Sequence, residues 1–270
     1  AASDVYKRQV SANGKSAACT VTVTAASDFT IENGVLTAYT GSDANVAIPE
    51  GVTVIGNGSS SIFGRNVESV TISASVTEIA DKAFDTCTGL TSVTFAEGSQ
   101  LKTIGNEAFY AANQLESLTI PEGVTSIGQY AFAAMNKLQT ITLPSTLTTV
   151  CGGEWFGNLF ARGTSGGAPA ALASVNITEG GEQYRSHDGA VYSADGKTII
   201  YCPAAKQSID WLAGVEEIAS YAFLQTTMEQ VVLPSGLKTV AEKAFYSAQC
   251  TSLKVPESVE SIGALSLIHI

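Results

Sequence analysis

The stretch IPEGVTSIGQYAF, from Ile120 to Phe132, is the clearest copy of a unit that recurs along this 270-residue chain. When the chain is aligned on the Ala-Phe pair of this stretch, other copies show apolar residues in the same frame. Their pairs are Ala83-Phe84, Ala108-Phe109, Ala222-Phe223 and Ala244-Phe245. The period is about 23 residues, and a fixed period of this length is typical of a solenoid.

The spacing inside one copy predicts its local structure. The stretch from Leu115 to Ile120 ends in the alternation of apolar and polar residues that indicates a short strand. Pro121 ends that strand because it has no N–H group to give to a ladder. Ile127, Ala131 and Met135 are spaced i, i+4 and i+8, which predicts a turn or two of helix with one buried face.

A single copy is too small to fold alone. It offers only about six apolar side chains for burial, and their burial does not offset the entropy lost in ordering the whole unit. The copies must therefore stack on one another, each burying the face of its neighbour.

The recurring pattern Ile-Pro-x-Gly-Val-x-x-Ile-Gly-x-x-Ala-Phe resembles the BspA-like, or Treponema pallidum-type, leucine-rich repeat family from Ser27 to Ala264. The resemblance implies an α/β repeat solenoid over residues 27–264. This solenoid would be a right-handed leucine-rich-repeat superhelix of short strands and short helices, with about nine units and a β-hairpin island.

Two copies depart from the pattern. The first has Ser61-Ile62-Phe63 and lacks the Ala-Phe pair, and the copy after Pro144 has Trp155-Phe156 in the place of that pair. A Gly-rich insertion follows between Arg162 and Pro169.

Asp-Gly pairs between apolar runs predict β-hairpins. Two such pairs, Asp188-Gly189 and Asp195-Gly196, lie in residues 184–203, which we expect to form the hairpin island. Phe29 to Ile48, with Asn33-Gly34, is expected to form a comparable hairpin that caps the first copy.

The two ends of the chain have a different origin in our interpretation. One DNA string read in opposite directions encodes both Asp4–Gln9 and Leu265–Ile270, as expected of a translated sequencing adapter. We therefore expect residues 1–9 and 265–270 to be adapter-derived and the chain to be an internal fragment.

The segment from Val10 to Val23 resembles the last strands of a bacterial immunoglobulin-like domain. We accordingly expect residues 10–26 to be the end of such a domain, truncated by the adapter. The parent would then be a multidomain surface protein.

Composition excludes several functions. The chain has 14 Lys and Arg against 25 Asp and Glu, a formal charge of −11, which argues against binding nucleic acid or an anionic membrane surface. No apolar run approaches the roughly 18 residues of a membrane span. With 2 His, there is little basis for His-based catalysis or a zinc cluster.

Candidate catalytic motifs are better explained as structure. Gly163-Thr164-Ser165-Gly166-Gly167 matches a nucleophile elbow, but it lies in the Gly-rich insertion rather than between a strand and a helix. His187 and Cys202 belong to the predicted island, where an exposed turn histidine and a packed cysteine are expected rather than a catalytic dyad.

Metal sites and paired carboxylates are not indicated either. The five cysteines lack zinc spacing, and Cys87 and Cys250 fall at core positions of their copies. Asp188 and Asp195 fit hairpin turns better than a calcium loop. Glu50, Glu122 and Glu257 each follow a proline at one repeat position, which indicates solvated turns. We expect no catalytic residue, no metal and no cofactor.

The strand ladder is the predicted binding surface. Strand alternation points one residue pair per copy away from the core, giving a mostly uncharged face rich in hydroxyl groups. The alternative interpretation is that threonine is simply favoured on an exposed sheet. The predicted face consists of Ser92, Thr94, Ser117, Thr119, Thr140, Thr142, Ser174, Asn176, Gln230 and Val232.

The family resemblance implies an adhesion or protein-interaction module of a secreted or surface-attached bacterial protein. The expected partner is a host matrix or cell-surface protein, or a glycan, and no membrane insertion is expected within these residues. A structural spacer and an accessory domain of a secreted enzyme are the alternatives.

Overall fold

The computed structural model describes residues 3–12, 15–24, 28–153, 155–161 and 168–267. The repeat part is a solenoid of about ten turns, which confirms the predicted fold class. A regular copy contributes one segment to each of three ladders. The first segment is a two-residue strand that ends in isoleucine and is followed by glycine, the second is a strand rich in threonine, and the third is the segment that contains Ala-Phe.

In the Ile-Gly ladder, very short strands pair in parallel with one rung per copy, in two separate sheets that lie before and after the island. Gly128 shows why glycine follows the buried isoleucine, because a Cβ there would lie 2.6 Å from the Asn106 nitrogen of the preceding copy. The strands are β4 (Val35–Tyr39), β6 (Val54–Ile55), β8 (Glu78–Ile79), β10 (Thr103–Ile104), β12 (Ser126–Ile127) and β14 (Thr149–Val150), and after the island β19 (Glu217–Ile218), β21 (Thr239–Val240) and β23 (Ser261–Ile262).

The threonine ladder is also parallel, and its apolar residues such as Leu118 and Ile141 are buried in the core. Its strands lie where the alternation predicts them. They form three separate sheets: β5 (Asn45–Ala47), β7 (Ser69–Ile72) and β9 (Ser92–Phe95); β11 (Ser117–Thr119), β13 (Thr140–Leu143) and β15 (Ser174–Ile177); and β20 (Gln230–Val232) with β22 (Ser252–Lys254).

The Ala-Phe segments are turns, and in this respect the expectation of short helices was wrong. Alternate N–H groups of one copy donate to carbonyl oxygens of the next copy at 2.8 to 3.0 Å: Glu107 to Gln129, Phe109 to Ala131 and Ala111 to Ala133. The N–H groups between them turn back within their own copy, as Tyr110 does to the Glu107 oxygen at 3.0 Å. In the described chain the helical elements are two 3-10 turns, η1 (Cys151–Gly153) and η2 (Phe156–Leu159).

Each full Ala-Phe segment also contains two non-glycine residues in the left-handed region, which interrupts any helix. Such a conformation costs roughly 1–2 kcal/mol per residue, and here the hydrogen bonds to the next copy hold it in place. The φ angles lie between 54° and 59° at Lys82, Thr86, Glu107, Ala111, Tyr130, Ala134, Tyr221, Gln225, Lys243 and Ser247.

A stack of aromatic rings runs through the core, with one ring per copy. Consecutive ring centroids are 4.8 to 6.2 Å apart along Tyr39, Phe63, Phe84, Phe109, Phe132, Phe160 and Tyr201, and Phe223 and Phe245 stack at 4.6 Å beyond the island.

The stack also shows which residues take the Ala-Phe position in the two irregular copies. Phe63 supplies the ring of the first copy, 4.8 Å from Phe84. In the later copy the Ala-Phe position is occupied by Leu159-Phe160 and not by Trp155-Phe156, because the Phe132 N–H donates to the Leu159 oxygen at 2.9 Å.

The predicted hairpins are present. β16 (Tyr184–His187), β17 (Ala190–Ser193) and β18 (Thr198–Tyr201) pair antiparallel, and β18 joins the Ile-Gly ladder by pairing in parallel with β19. At the other end, β3 (Phe29–Glu32) pairs antiparallel with β4. Both turn residues have positive φ in Asn33-Gly34 and in Asp188-Gly189, as a tight type I′ turn requires.

A further antiparallel hairpin consists of β1 (Ser3–Ala12) and β2 (Lys15–Thr24). It spans both the residues that we interpret as adapter-derived and those that resemble an immunoglobulin-like domain, so the boundary between residues 9 and 10 stays a prediction.

Replacing one ring of the stack should destabilise the whole solenoid. Phe109→Ala removes a fully buried ring between Phe84 and Phe132, and such truncations cost about 3–5 kcal/mol. Urea denaturation followed by circular dichroism measures the change, with the exposed Thr119→Ala as control. A loss below about 1 kcal/mol in Phe109→Ala would show that the stack is not a main source of stability.

Candidate functional site

The predicted binding residues lie on the outward side of the threonine ladder but are divided among its three sheets. Six of them share the sheet formed by β11, β13 and β15, which we call the central sheet. They lie there in two rows that cross three copies. The strand register pairs Ser117 with Thr140 and Thr140 with Ser174, and Thr119 with Thr142 and Thr142 with Asn176.

The central sheet has a regular and uncharged outer surface. Ser117 and Thr119 are exposed, whereas the other four side chains are half-buried. Neighbouring strands in a sheet lie about 4.8 Å apart, so hydroxyl and amide groups repeat at that spacing along each row. The Ser174 hydroxyl donates to the Asn176 side-chain oxygen at 3.2 Å, which orients one end of the surface.

Ser92 and Thr94 are exposed on β9, which pairs with β7 in the sheet formed by β5, β7 and β9. The Thr94 hydroxyl donates to that of Thr71 at 3.1 Å, so rows of the same kind continue there. The structure does not join β9 to β11 by strand pairing.

The island separates the central sheet from the last two predicted residues. The Val175 N–H donates to the Gly189 oxygen at 2.8 Å, and the Asp210 N–H donates to Asp188 Oδ2 at 2.8 Å. The hairpin tip and the segment that follows it therefore lie beyond β15, and the structure does not place Gln230 and Val232 in the same sheet as Asn176.

Gln230 and Val232 instead lie beside Trp211, a residue that the repeat pattern did not indicate as part of a binding surface. The Trp211 indole Nε1–H donates to the Val232 carbonyl oxygen at 2.8 Å, and the Val232 side chain is 60% exposed. A groove of about 350 Å³ runs between Ile209 and Trp211 on one side and β20 on the other. The signal in the sequence was the valine itself, because most copies before the island carry threonine at this position and the copy that follows carries Lys254.

The structure gives His187 and Cys202 separate partners. His187 Nε2 lies 3.3 Å from Asp210 Oδ2, whereas Cys202 is fully buried with its sulfur towards the Pro203 carbonyl oxygen. Burial raises the pKa of Cys202 to about 12. A neutral thiol of this kind is a poor nucleophile.

The island aspartates serve the turns in which they lie. Partial burial opposes ionisation of Asp188, but hydrogen bonds from the Asp210 N–H and from Lys206, whose Nζ lies 3.0 Å away, outweigh it and lower its pKa. Asp195 accepts hydrogen bonds from the Ser193 hydroxyl and the Lys197 N–H, which lower its pKa.

The proline-following glutamates show no paired arrangement. Glu122 accepts hydrogen bonds from the N–H and hydroxyl of Ser145 in the next copy, at 3.1 and 2.9 Å, while Glu50 and Glu257 are exposed. In the part of the chain that the structure describes, no group of three or more His, Cys, Asp or Glu is arranged to hold a metal ion. Ser165 and the rest of Gly163–Gly167 lie outside the described residues.

Four cysteines are buried as free thiols: Cys87, Cys151, Cys202 and Cys250. Burial raises the pKa of Cys87 to about 11, although the Ser61 hydroxyl lies 3.4 Å from its sulfur. These positions agree with the expected role of small core residues.

A family model described as "BspA type Leucine rich repeat region" matches residues 58–159 and 200–267 with six copies, more than half of the chain. The chain belongs to the BspA-type leucine-rich repeat family. No curated protein matches it.

Solved structures give the same architecture. A leucine-rich repeat protein from Eubacterium ventriosum superimposes with a TM-score of 0.61 at 24% identity, covering 86% of this chain and 64% of the other. The pneumococcal vaccine antigen PcpA gives a TM-score of 0.56 at 21% identity, covering 96% and 76%. The chain thus spans less than two thirds of the Eubacterium protein, and at these identities the likeness concerns the fold.

The described residues contain no helix that is long and apolar enough to cross a membrane.

Thiol labelling tests the buried cysteines. In a Cys19→Ser background, we expect iodoacetamide at pH 8 to label the four remaining cysteines far more slowly in the native protein than in urea, because burial keeps the thiols inaccessible to the reagent. Mass spectrometry of tryptic peptides measures each site. Rapid native labelling of Cys202 would contradict this assignment and return the His187–Cys202 pair to consideration.

Proposed function

We propose that this chain is a non-enzymatic binding module of a secreted or surface-attached bacterial leucine-rich repeat protein. Its partner in this proposal is a host matrix or cell-surface protein, or a glycan, bound on the outer surface of β11, β13 and β15. The observation that supports it is the alignment of six uncharged polar side chains in two rows on that sheet. The extracellular or cell-surface location rests on family membership.

The mechanism is the sum of many weak contacts on a rigid surface. Each hydroxyl or amide donates or accepts a hydrogen bond worth little by itself. The strands beneath are fixed by core residues such as Leu118 and Ile141, so the surface loses little conformational freedom when a partner binds. Binding through uncharged groups should depend weakly on salt, although the whole chain is acidic.

A structural spacer is the second candidate. The observation that favours it is the long stacked core, which would hold neighbouring domains apart without any ligand. An accessory domain of a secreted enzyme is the third candidate, which no arrangement of side chains among the described residues specifically favours, since His187 and Cys202 have separate partners.

A binding panel with a paired substitution tests the proposal. Whole protein is immobilised and exposed to purified matrix proteins and a glycan array, and any partner is then titrated against Thr119→Lys/Thr142→Lys. These residues are register neighbours in adjacent copies. We expect at least roughly tenfold weaker binding, because two long charged side chains disrupt a neutral contact surface.

The matched control is Thr125→Lys/Thr148→Lys, which changes exposed threonines of the same two copies beside the Ile-Gly ladder. Equal losses in both variants would show that the partner does not bind the central sheet. No binding above background by the wild-type protein would favour the spacer.

A further inference from the structure

Strand β20 uses only one of its two edges. It pairs in parallel with β22, where the Ser252 N–H donates to the Glu229 oxygen at 3.1 Å and the Leu233 N–H donates to the Lys254 oxygen at 3.0 Å. In a parallel strand, backbone groups of alternate residues point to opposite sides. Gln230 and Val232 therefore direct their N–H and carbonyl groups away from β22.

That second edge faces the groove beside Trp211. The one hydrogen bond that the described residues make to it comes from the Trp211 indole, to the Val232 carbonyl oxygen at 2.8 Å. The Gln230 N–H and carbonyl and the Val232 N–H are left facing the groove, where no described strand pairs with them. Unpaired groups of this kind are the usual template for pairing with another chain.

The preceding copy would normally fill this place. In the central sheet, β11 and β15 cover both edges of β13. The segment 208–211 has the corresponding place in the chain before β20, but the island diverts its backbone. Its Asp210 N–H donates to Asp188 Oδ2 in the hairpin turn instead. The gap in the ladder is thus a consequence of the island.

The groove is apolar on both sides of the unpaired edge. Val232 is 60% exposed, while its counterparts in the central sheet, Thr142 and Asn176, are polar and half-buried, and its register neighbour on the β22 side is the exposed Lys254. The remaining apolar lining comes from Ile209, Met228, Leu233 and Pro234. A sheet edge recognises an extended peptide by two features: unpaired backbone groups that form hydrogen bonds with it, and apolar contacts for its alternate side chains. Both features are present here.

We propose that this gap binds an extended segment of a partner protein, which adds to β20 as a strand. The segment donates N–H groups to the Gln230 carbonyl and accepts from the Val232 N–H, and its apolar side chains pack on Val232 and Trp211. This inference rests on the proposed binding function and names a partner class and a second contact region for it.

The test uses linear peptides selected from a random phage-displayed library against the whole protein. Selected peptides are titrated against wild-type protein, Val232→Pro and Val232→Thr. Proline removes the N–H that faces the gap without removing a hydrogen bond to β22, whereas threonine keeps the N–H and restores the side chain typical of other copies. We expect a loss of at least roughly tenfold for proline and only a small loss for threonine.

A second measurement does not depend on the folding of a variant. The same peptides are synthesised with single N-methyl groups at successive positions and titrated against wild-type protein. N-methylation at alternate positions should abolish binding, because only every second N–H of an added strand faces β20. Binding that tolerates every N-methyl group, or that Val232→Pro leaves unchanged, overturns the proposal.

The remaining outcomes are also decisive. If no peptide is enriched above background, the proposal is wrong. If sedimentation shows a wild-type dimer that Val232→Pro dissociates, the gap is occupied by a second copy of this chain and the peptide proposal is likewise wrong. Thr119→Lys/Thr142→Lys should keep peptide affinity unchanged, so a failure of the central-sheet proposal is distinguishable from a failure here.

Discussion

The structure depends on one constraint: the backbone hydrogen bonds of each copy are completed by the neighbouring copies. The Ala-Phe segments show this most clearly, because every second N–H leaves its own copy, as from Phe84 to the Ala108 oxygen at 2.7 Å. A copy without neighbours would leave these groups without protein partners and would also expose its ring. The stacking of copies is therefore a requirement for local structure and not an addition to it.

The same constraint arranges the surface. Because each rung must align with the one before it, outward residues such as Thr119 and Thr142 fall into rows. The island interrupts this order by placing the tip at Gly189 against β15 and by diverting the segment around Asp210. The regular sheet and the gap beside Trp211 are thus two outcomes of one ladder, and the binding proposals concern these two regions.

Much of this fold could be predicted from the sequence because it depends on short-range patterns. The period, the strands that end before prolines, and the hairpins at Asn33-Gly34 and Asp188-Gly189 all follow from local chemistry. The i, i+4 spacing of Ile127 and Ala131 was misleading, because a chain of tight turns buries the same positions as a helix. A helix and a chain of turns differ in which carbonyl oxygens accept hydrogen bonds from the N–H groups. In this chain, the acceptors for alternate N–H groups lie in the next copy.

The candidate site was predictable only in part for the same reason. Alternation identified which side chains point outward, including Thr140 and Thr142, but not where the ladder is interrupted. The edge of β20 arises from contacts between residues distant in sequence, such as Trp211 with Val232, 21 positions apart. The placement of Trp155-Phe156 at the Ala-Phe position failed similarly, since the register with Phe132 is decided by pairing between copies.

Native-state hydrogen exchange of the Phe84, Phe109 and Phe132 amides tests the central claim most directly. Each of these amides donates to the next copy and lies in a segment that is not helical. The account predicts strong protection, with exchange that requires unfolding of adjacent copies and so accelerates steeply with urea. Exchange near the rate of an unstructured peptide, or opening that is insensitive to urea, would contradict it.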